Sequence, residues 1–246
     1  MKPKVKKLDI SNKRVLCVSD IHGNYDLLDK LLKRNNYNKD EDYLFILGDI
    51  SRKGNYPLRT LRYVMKLAEN ENVVVTMGNC DEADYLDFLP QSLEWFKKFM
   101  HSKNLIHDFL YEKYNTENFP DLSDEELLRL QEEFINTEEI KFIRNLYHVI
   151  DTEKFFFTHA KMPKELDLEN NDYHEFIQGR SFYTDGHNID KTVVVGHMPT
   201  TIFVNNYYDN SILFNNSRKF IMIDGGMVVH RGGQINLSEI KDNVSR

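Results

Sequence analysis

The sequence lacks several features that mark common protein classes. It has two cysteines in 246 residues, Cys17 and Cys80, so no disulfide framework is predicted. No apolar run approaches the roughly 18 residues of a membrane span, and the start lacks the apolar core of a signal peptide. The net charge of -7 gives no support for a nucleic-acid-binding surface, which is ordinarily basic. We therefore expect a soluble cytoplasmic protein that binds neither nucleic acid nor a membrane.

What is present is an ordinary globular composition. Hydrophobic residues make up 41% of the chain and aromatic residues 12%, which argues against disorder. The length is compatible with one domain spanning residues 1–246 that carries an insertion. The lysine-rich start, residues 2–7, is interpreted as a solvated tail.

Five short apolar runs predict buried strands, because each is four to six residues long, rich in β-branched or aromatic residues and followed by a turn-forming or polar residue. Helical periodicity separates the first three of them. This alternation predicts an α/β fold with a mostly parallel sheet. The predicted strands are 14–19, 43–48, 72–77, 154–159 and 191–196.

Residues 83–147 show helical periodicity without a convincing strand. Ser123 and Glu126 form a capping box ahead of an apolar stripe, which marks the start of one helix. We interpret this stretch as a helical insertion after the third strand. From about Thr201 to the end, short apolar runs between Asn-rich and Gly-Gly turns predict a β-meander.

A potential metal ligand follows every one of the five predicted strands. A single Asp in that place is usually a helix N-cap, and a single His is usually a packed core residue. The ordered repetition is what favours a metal site. Carboxylate, imidazole and amide donors together suit Mn, Fe or Zn, and six of them suit two divalent ions that share a carboxylate. The six residues are Asp20, His22, Asp49, Asn79, His159 and His197.

Five motifs resemble those of the calcineurin-like metallophosphoesterases, most closely the bacterial serine/threonine phosphoprotein phosphatase-like branch. The resemblance implies a two-sheet β-sandwich flanked by helices, with two metal ions at the strand ends. By motif, Asp20 and His22 would hold the first ion, Asp49 would bridge both, and Asn79, His159 and His197 would hold the second. A metal-activated hydroxide would then hydrolyse a phosphate ester. The motifs are "DIHGN" (20–24), "GDISRKG" (48–54), "GNCDE" (78–82), "THA" (158–160) and "GHMPT" (196–200).

The sequence departs from the phosphatase pattern at the pair that protonates the leaving group. Cys80 replaces the family's histidine, and Arg52 replaces the aspartate that orients it. Gly-Asn-Cys-Asp also resembles a smaller phosphodiesterase branch of the superfamily. Cys80 is open to two interpretations, a weak acid or a small packed side chain. Asp81 is open to two as well, a substitute acid or a helix N-cap.

The basic residues that could bind a substrate phosphate match the family motifs less well than the metal ligands do. Lys53 stands where the family has an arginine, and Arg52 beside it could take that part instead; either could equally be a solvated loop cation. Arg180, between the fourth and fifth strands, is a further candidate by loose analogy. Asp224 begins an Asp-Gly-Gly turn that we interpret as structural.

The sequence therefore predicts an enzyme that hydrolyses phosphate monoesters, similar to the serine/threonine phosphatases. An alternative is a phosphodiesterase or a nucleotide hydrolase acting on dinucleoside polyphosphates, since activated leaving groups need less protonation. Another class is a metal-bound scaffold for protein binding. The expected partner is a phosphorylated substrate: a phosphoprotein, a nucleotide or a small phosphoester.

Overall fold

The structure is a computed structural model that describes residues 1–86, 93–179, 186–204, 206, 208–228 and 232–240. Its strands are β1 (Val5–Lys7), β2 (Val15–Val18), β3 (Tyr43–Leu47), β4 (Val73–Thr76), β5 (Val149–Asp151), β6 (Phe155–Thr158), β7 (Thr192–Val195), β8 (Leu213–Asn215), β9 (Phe220–Met222) and β10 (Leu237–Ile240). Its helices are α1 (Tyr25–Arg34), α2 (Pro57–Leu67), α3 (Asn79–Leu86), α4 (Leu93–Phe99), α5 (Leu105–Tyr114), α6 (Asp124–Ile135), α7 (Glu138–Asn145) and α8 (His174–Ile177). All five strands predicted from apolar runs are confirmed as β2, β3, β4, β6 and β7.

The strands form two sheets. One has four strands in the order β10-β2-β3-β4, and β2, β3 and β4 run parallel. The other has six strands in the order β1-β5-β6-β7-β9-β8, with β6, β7 and β9 parallel. Because the carboxyl ends of parallel strands lie at one edge of a sheet, each sheet presents such an edge to the same region.

The sheets pack face to face through side chains that alternate along the strands. Phe45 of the first sheet meets Phe157 of the second, with ring centroids 4.9 Å apart in an edge-to-face arrangement. Cys17 and Val194 lie in the same buried cluster. Replacing one such Phe by Ala would cost about 3–5 kcal/mol. The intersheet core therefore fixes how the two sets of strand ends face each other, which confirms the predicted two-sheet sandwich.

Helices cover the outer face of the four-stranded sheet. Leu16 and Val18 point away from the other sheet and pack in one cluster with apolar residues of α1, α2 and α4–α7. The described residues between β4 and β5 form helices α3–α7, which agrees with helices inserted after the third predicted strand; the first of them begins at Asn79, and the bounds 83–147 stay a prediction. The capping box of Ser123 and Glu126 forms at the start of α6. The assignment of residues 1–246 to one domain stays a prediction.

Two sequence predictions are wrong. The lysine-rich start is not a solvated tail: Val5–Lys7 pairs with β5, and Val5 packs beneath the second sheet. The sequence does not predict β1 because a three-residue strand with one apolar residue, Val5, is too short to show a period-2 alternation. The predicted β-meander is found only for β8 and β9, because β10 crosses to the other sheet and pairs antiparallel with β2.

Within the described ranges, the structure has no helix whose length and apolar character would let it cross a membrane.

Candidate metal centre

The structure brings the six predicted ligands together at the carboxyl ends of the strands. Asp20, His22, Asp49 and His159 are buried, whereas Asn79 and His197 are half-buried at the edge of a cavity. The chain extends the strand pairing past the strand ends, since the amide of His22 donates to the carbonyl of Asp49 at 2.9 Å. Hydrogen bonding therefore fixes the loops that carry these side chains.

The backbone at four of these residues lies in the left-handed region, where residues other than glycine are uncommon. The φ angles are 52° at Asp20, 46° at His22, 55° at Asp49 and 65° at His197. Each such conformation costs of order 1–3 kcal/mol and persists only where the surrounding structure enforces it. The strain lies where the sequence predicts metal ligands, which is the usual place for strain of this kind.

Two glycines let the loops approach closely. A Cβ on Gly78 would lie 2.3 Å from Asp49 Oδ1, and one on Gly48 would lie 2.5 Å from the amide nitrogen of Gly78. Neither contact is possible for a real side chain. The Gly-Asp and Gly-Asn pairs therefore exist so that Asp49 and Asn79 can share one site.

We call the group of Asn79, His159 and His197, with Asp49, the second-ion side. Nδ1 of His159 must donate to the carbonyl oxygen of Leu47, 2.7 Å away, because that oxygen only accepts. Its Nε2 therefore carries a lone pair, and it lies 3.2 Å from Asn79 Oδ1 and 3.4 Å from Asp49 Oδ1. Nδ1 of His197 lies 2.9 Å from the same Asn79 oxygen, to which it can donate. The Nε2 lone pair of His159, which faces oxygens of Asn79 and Asp49, suits a cation between them.

We call the group of Asp20, His22 and Cys80, with Asp49, the first-ion side. Nδ1 of His22 pairs with the carbonyl oxygen of Arg52 at 2.9 Å, so Nε2 again keeps the lone pair. That nitrogen lies 3.7 Å from Asp49 Oδ2 and 3.9 Å from Asp20 Oδ1, too far for a hydrogen bond. The imidazole is thus oriented as a metal ligand.

The charges of the centre also fit divalent cations. Burial and the neighbouring Asp49 raise the pKa of Asp20 to about 8. Burial alone would raise the pKa of Asp49 too, but His159 and His22 outweigh it and hold it at about 2. Burial lowers the pKa of His22 to about 4, which keeps the ring neutral. Buried carboxylates side by side with neutral imidazoles fit a pair of divalent ions, which would remove the conflict between the carboxylates.

Asp81 is fully buried and is not among the residues that line the cavity, so it is poorly placed to protonate a leaving group. Its carboxylate accepts hydrogen bonds from the backbone amides of Asp49, Ile50 and Gly78, each at 2.8 Å. Burial and Asp49 raise its pKa to about 7. The carboxylate joins the two ligand loops from beneath, so its function is positional. Sequence reasoning missed this, because its donors lie up to 32 residues away.

Cys80 is 3% exposed and is not among the residues that line the cavity at the centre. Burial and Asp49 raise the pKa of its thiol far above its ordinary range. A covered thiol outside the cavity lining is poorly placed to protonate a leaving group. The structure therefore gives no support to Cys80 as the missing acid.

Arg52 and Lys53 separate in the structure. Arg52 turns away from the centre: Nε lies 3.4 Å from Asp84 Oδ1, and the guanidinium lies over the ring of Phe99. Lys53 lines the cavity beside Asp20 and Asp49. Burial opposes the charge on Lys53, but contact with Cys80 and Asp49 outweighs it and raises the pKa of the ammonium. Of these two, Lys53 is the one whose side chain lines the cavity.

Arg180 lies outside the described residues, so its predicted contact with phosphate stays a prediction. Asp224 is buried and lines the cavity, with its carboxylate accepting from the amide of Gly226 at 2.7 Å. Burial and Asp20 raise the pKa of Asp224 well above its usual range. The sequence suggested only a turn here, and the structure adds a further carboxylate to the lining of the cavity that Asp20 and Asp49 share.

The cavity beside the centre has a volume of about 270 Å³ and is polar on one side and apolar on the other. A larger cavity of about 460 Å³ near Lys154 and Lys219 contains none of the predicted site residues, so its size does not make it the active site. The apolar side of the smaller cavity consists of Met198, Pro199, Ile202, Met227 and Val228.

The chain belongs to the calcineurin-like phosphoesterase family, whose model matches residues 13–233. It is similar to a symmetrical bis(5'-nucleosyl)-tetraphosphatase of Vibrio parahaemolyticus, with 42% identity over 64 residues. That match spans 26% of this chain and 23% of the relative, so less than a quarter of the relative's length is covered.

Solved structures share the fold over nearly the whole chain. A protein assigned provisionally as a diadenosine tetraphosphatase superposes with a TM-score of 0.61 and 18% identity, covering 98% of this chain and 100% of its own. A cold-active protein tyrosine phosphatase of a psychrophilic Shewanella superposes with a TM-score of 0.63 and 17% identity, covering 96% of this chain and 77% of its own.

The predicted fold class and family are thus confirmed. The family is one of dinuclear metal-dependent phosphoesterases, and the described residues include candidate ligand groups for such a centre.

Proposed function

We propose that the protein hydrolyses dinucleoside polyphosphates, with Asp20, His22, Asp49, Asn79, His159 and His197 holding two divalent ions. The proposal reverses the ranking that the sequence motifs favour, in which a phosphomonoesterase comes first. The named activity of the curated relatives supports the reversal, although the match covers a small part of each chain.

The observation that carries the proposal is the state of the two positions that serve leaving-group protonation in the phosphatase pattern. Cys80 is covered and does not line the cavity, and Arg52 is paired with Asp84. An alkoxide leaving group needs a proton in the transition state, whereas a nucleotide phosphate ionises with a pKa of about 6 and leaves as a stable anion. A phosphoanhydride is therefore the bond that suits this site.

Bound divalent ions would supply a nucleophilic hydroxide near neutral pH and neutralise charge on the phosphoryl oxygens. The protein contributes position. Asp49 reaches both groups of ligands, and Asp81 and the two glycines fix its loop. Lys53 provides a compact positive charge beside the ions, suited to a chain of phosphates rather than to one bidentate contact.

The apolar side of the cavity suits a nucleoside. Met198 and Pro199 follow the His197 ligand directly, and Ile202 is 55% exposed beside them. An apolar surface next to a phosphate site can accept the face of a base. A simple phosphoserine residue offers nothing comparable to fill it.

A substrate panel tests the proposal with the full chain and added Mn²⁺. We expect kcat/KM for diadenosine tetraphosphate to exceed that for p-nitrophenyl phosphate, bis-p-nitrophenyl phosphate and a phosphoserine peptide. The Asp49→Asn variant, prepared in parallel, controls for contaminating hydrolases. A preference for the phosphopeptide would restore the phosphomonoesterase prediction. A preference for the bis-ester would favour a phosphodiesterase.

A further inference from the structure

The sulfur of Cys80 lies inside the metal centre rather than in the apolar core. Its Sγ, a ring nitrogen of His22 and a carboxylate oxygen of Asp49 are all within 4.8 Å of one another, and all three residues are buried. That spacing allows the three atoms to bind one ion. The other cysteine, Cys17, makes a useful contrast, since it lies between the sheets among apolar side chains.

The nitrogen of His22 points independently to a ligand at this place. Its Nε2 has no hydrogen-bond partner among the described residues, although the side chain is only 5% exposed. Nδ1 carries the proton, because it donates to the carbonyl of Arg52. This nitrogen lone pair faces the Asp20 and Asp49 carboxylates at the cavity, which is where an ion could bind it.

Donors approach the sulfur of Cys80 from other directions. Nδ2 of Asn79 donates to Sγ at 3.6 Å, and the Lys53 ammonium is within hydrogen-bonding reach. The backbone amide of Cys80 donates to Asp49 Oδ1 at 2.9 Å, which fixes the residue against the shared carboxylate. These contacts hold the sulfur in one position beside Asp49.

We propose that Cys80 is a sulfur ligand of the first ion, together with Asp20, His22 and Asp49. As the metal–sulfur bond forms, the thiol proton passes to solvent. The residue that stands in place of the leaving-group acid would thus belong to the ion. A thiolate is a soft ligand, so it shifts the first-ion side from Mn²⁺ towards Zn²⁺ or Fe. The proposal concerns the metal centre alone and does not depend on which phosphate compound is the substrate.

X-ray absorption on the full-length protein, stripped of metal and reloaded with two equivalents of Zn²⁺, tests the proposal. We expect a sulfur neighbour at about 2.3 Å, beyond nitrogen and oxygen neighbours at about 2.0–2.2 Å. Averaged over two zinc ions, the sulfur shell should hold about half an atom per zinc. The Cys80→Ser variant should lose this shell. It is close to isosteric, and its thermal unfolding checks that it folds.

Two controls separate Cys80 from the nearest alternative sulfurs. Met198 lines the cavity, so Met198→Leu removes a thioether that could reach an ion. Cys17→Ala removes the other thiol. Both variants should keep the sulfur shell. A wild-type spectrum with nitrogen and oxygen neighbours alone would overturn the proposal, and so would a sulfur shell that survives Cys80→Ser.

Metal competition gives a second readout that does not involve activity. Zn²⁺ affinity of the first-ion side should fall by about 10–100-fold in Cys80→Ser, and Mn²⁺ affinity should change much less. A Co²⁺-loaded wild type should show a sulfur-to-cobalt charge-transfer band that this variant lacks. An equal fall for Zn²⁺ and Mn²⁺ would mean that Cys80 only supports the loop.

Discussion

The first-ion and second-ion sides share Asp49 but differ in how far they keep the family pattern. On the second-ion side, an amide oxygen and two imidazoles converge as the motifs imply, with Asn79 Oδ1 between the rings of His159 and His197. On the first-ion side, Asp20 and His22 are in place, but a buried thiol and a lysine occupy the positions around them.

The difference separates two requirements of the chemistry. Ion binding tolerates little change, because each ligand must supply a lone pair at a fixed place. Protonation of the leaving group depends on the substrate. The residues that provide it therefore differ between enzymes that act on different leaving groups. The second-ion side therefore identifies the family, and the first-ion side carries the features peculiar to this chain.

Removing Asp49, the ligand that the first-ion and second-ion sides share, should impair both sides at once. Asp49→Asn should lower kcat/KM for p-nitrophenyl phosphate with Mn²⁺ by about 10³-fold or more, since the lost ion stabilisation is several kcal/mol. Steady-state hydrolysis with metal analysis of the same samples measures it. Asp121→Asn, at an exposed carboxylate, is the matched control. Wild-type activity in Asp49→Asn would refute the dinuclear centre.

Disabling only the second-ion side should leave the other side occupied. In Asn79→Ala, bound metal should fall from about two ions to one per chain, with activity down by about 10²–10³-fold. Elemental analysis after equilibrium dialysis counts the ions. If both ions were lost together, the two sides would be one cooperative site and the comparison would fail.

Adjacent cations on the first-ion side should have different effects. Lys53→Ala should lower kcat/KM by about 10–100-fold, the equivalent of one charged hydrogen bond, with partial rescue by Lys53→Arg. Arg52→Ala should instead reduce the free energy of unfolding by about 1–3 kcal/mol, because Asp84 is buried and loses a cation, while activity changes little. Urea unfolding and initial rates distinguish the two. The reverse outcome would place Arg52 on the phosphate.

The smallest effect concerns pH in the metal-free protein. The pKa of Asp20 is raised to about 8 and that of Asp81 to about 7, both above the unfolded value of 3.8. Between pH 6.5 and 8 the unfolded state has already released these protons, so the free energy of unfolding should fall with rising pH by about 1–2 kcal/mol.

The pKa of His22 is lowered to about 4, so its opposing contribution is confined to pH values below about 6.5. Urea midpoints measured in chelator across the window test this expectation. Added Mn²⁺ should flatten or reverse the slope, since bound ions keep the carboxylates ionised. A slope unchanged by metal would mean that Asp20 is not a metal ligand.

Much of the fold and centre is predictable from sequence because the signals are local. Apolar runs mark the central strands, and the ligands follow them within three residues, so Asp20, Asp49 and His197 are found without any knowledge of packing. The edge strands β1 and β10 escape prediction because pairing partners, not their own residues, make them strands. The hydrogen bonds from three backbone amides to Asp81 are not predictable for the same reason, since two of the amides belong to another segment of the chain.

The sequence alone determined the family, the order of the strands and the candidate ligand residues that follow them, since chemistry and short-range spacing are written in the residues. Only the tertiary structure decided which loop cation faces the cavity, that Asp81 ties the ligand loops together, and that the Cys80 sulfur lies beside His22 and Asp49. Those facts depend on distances between segments that lie about 30 residues or more apart in the chain, and packing of the two sheets and the insertion sets them.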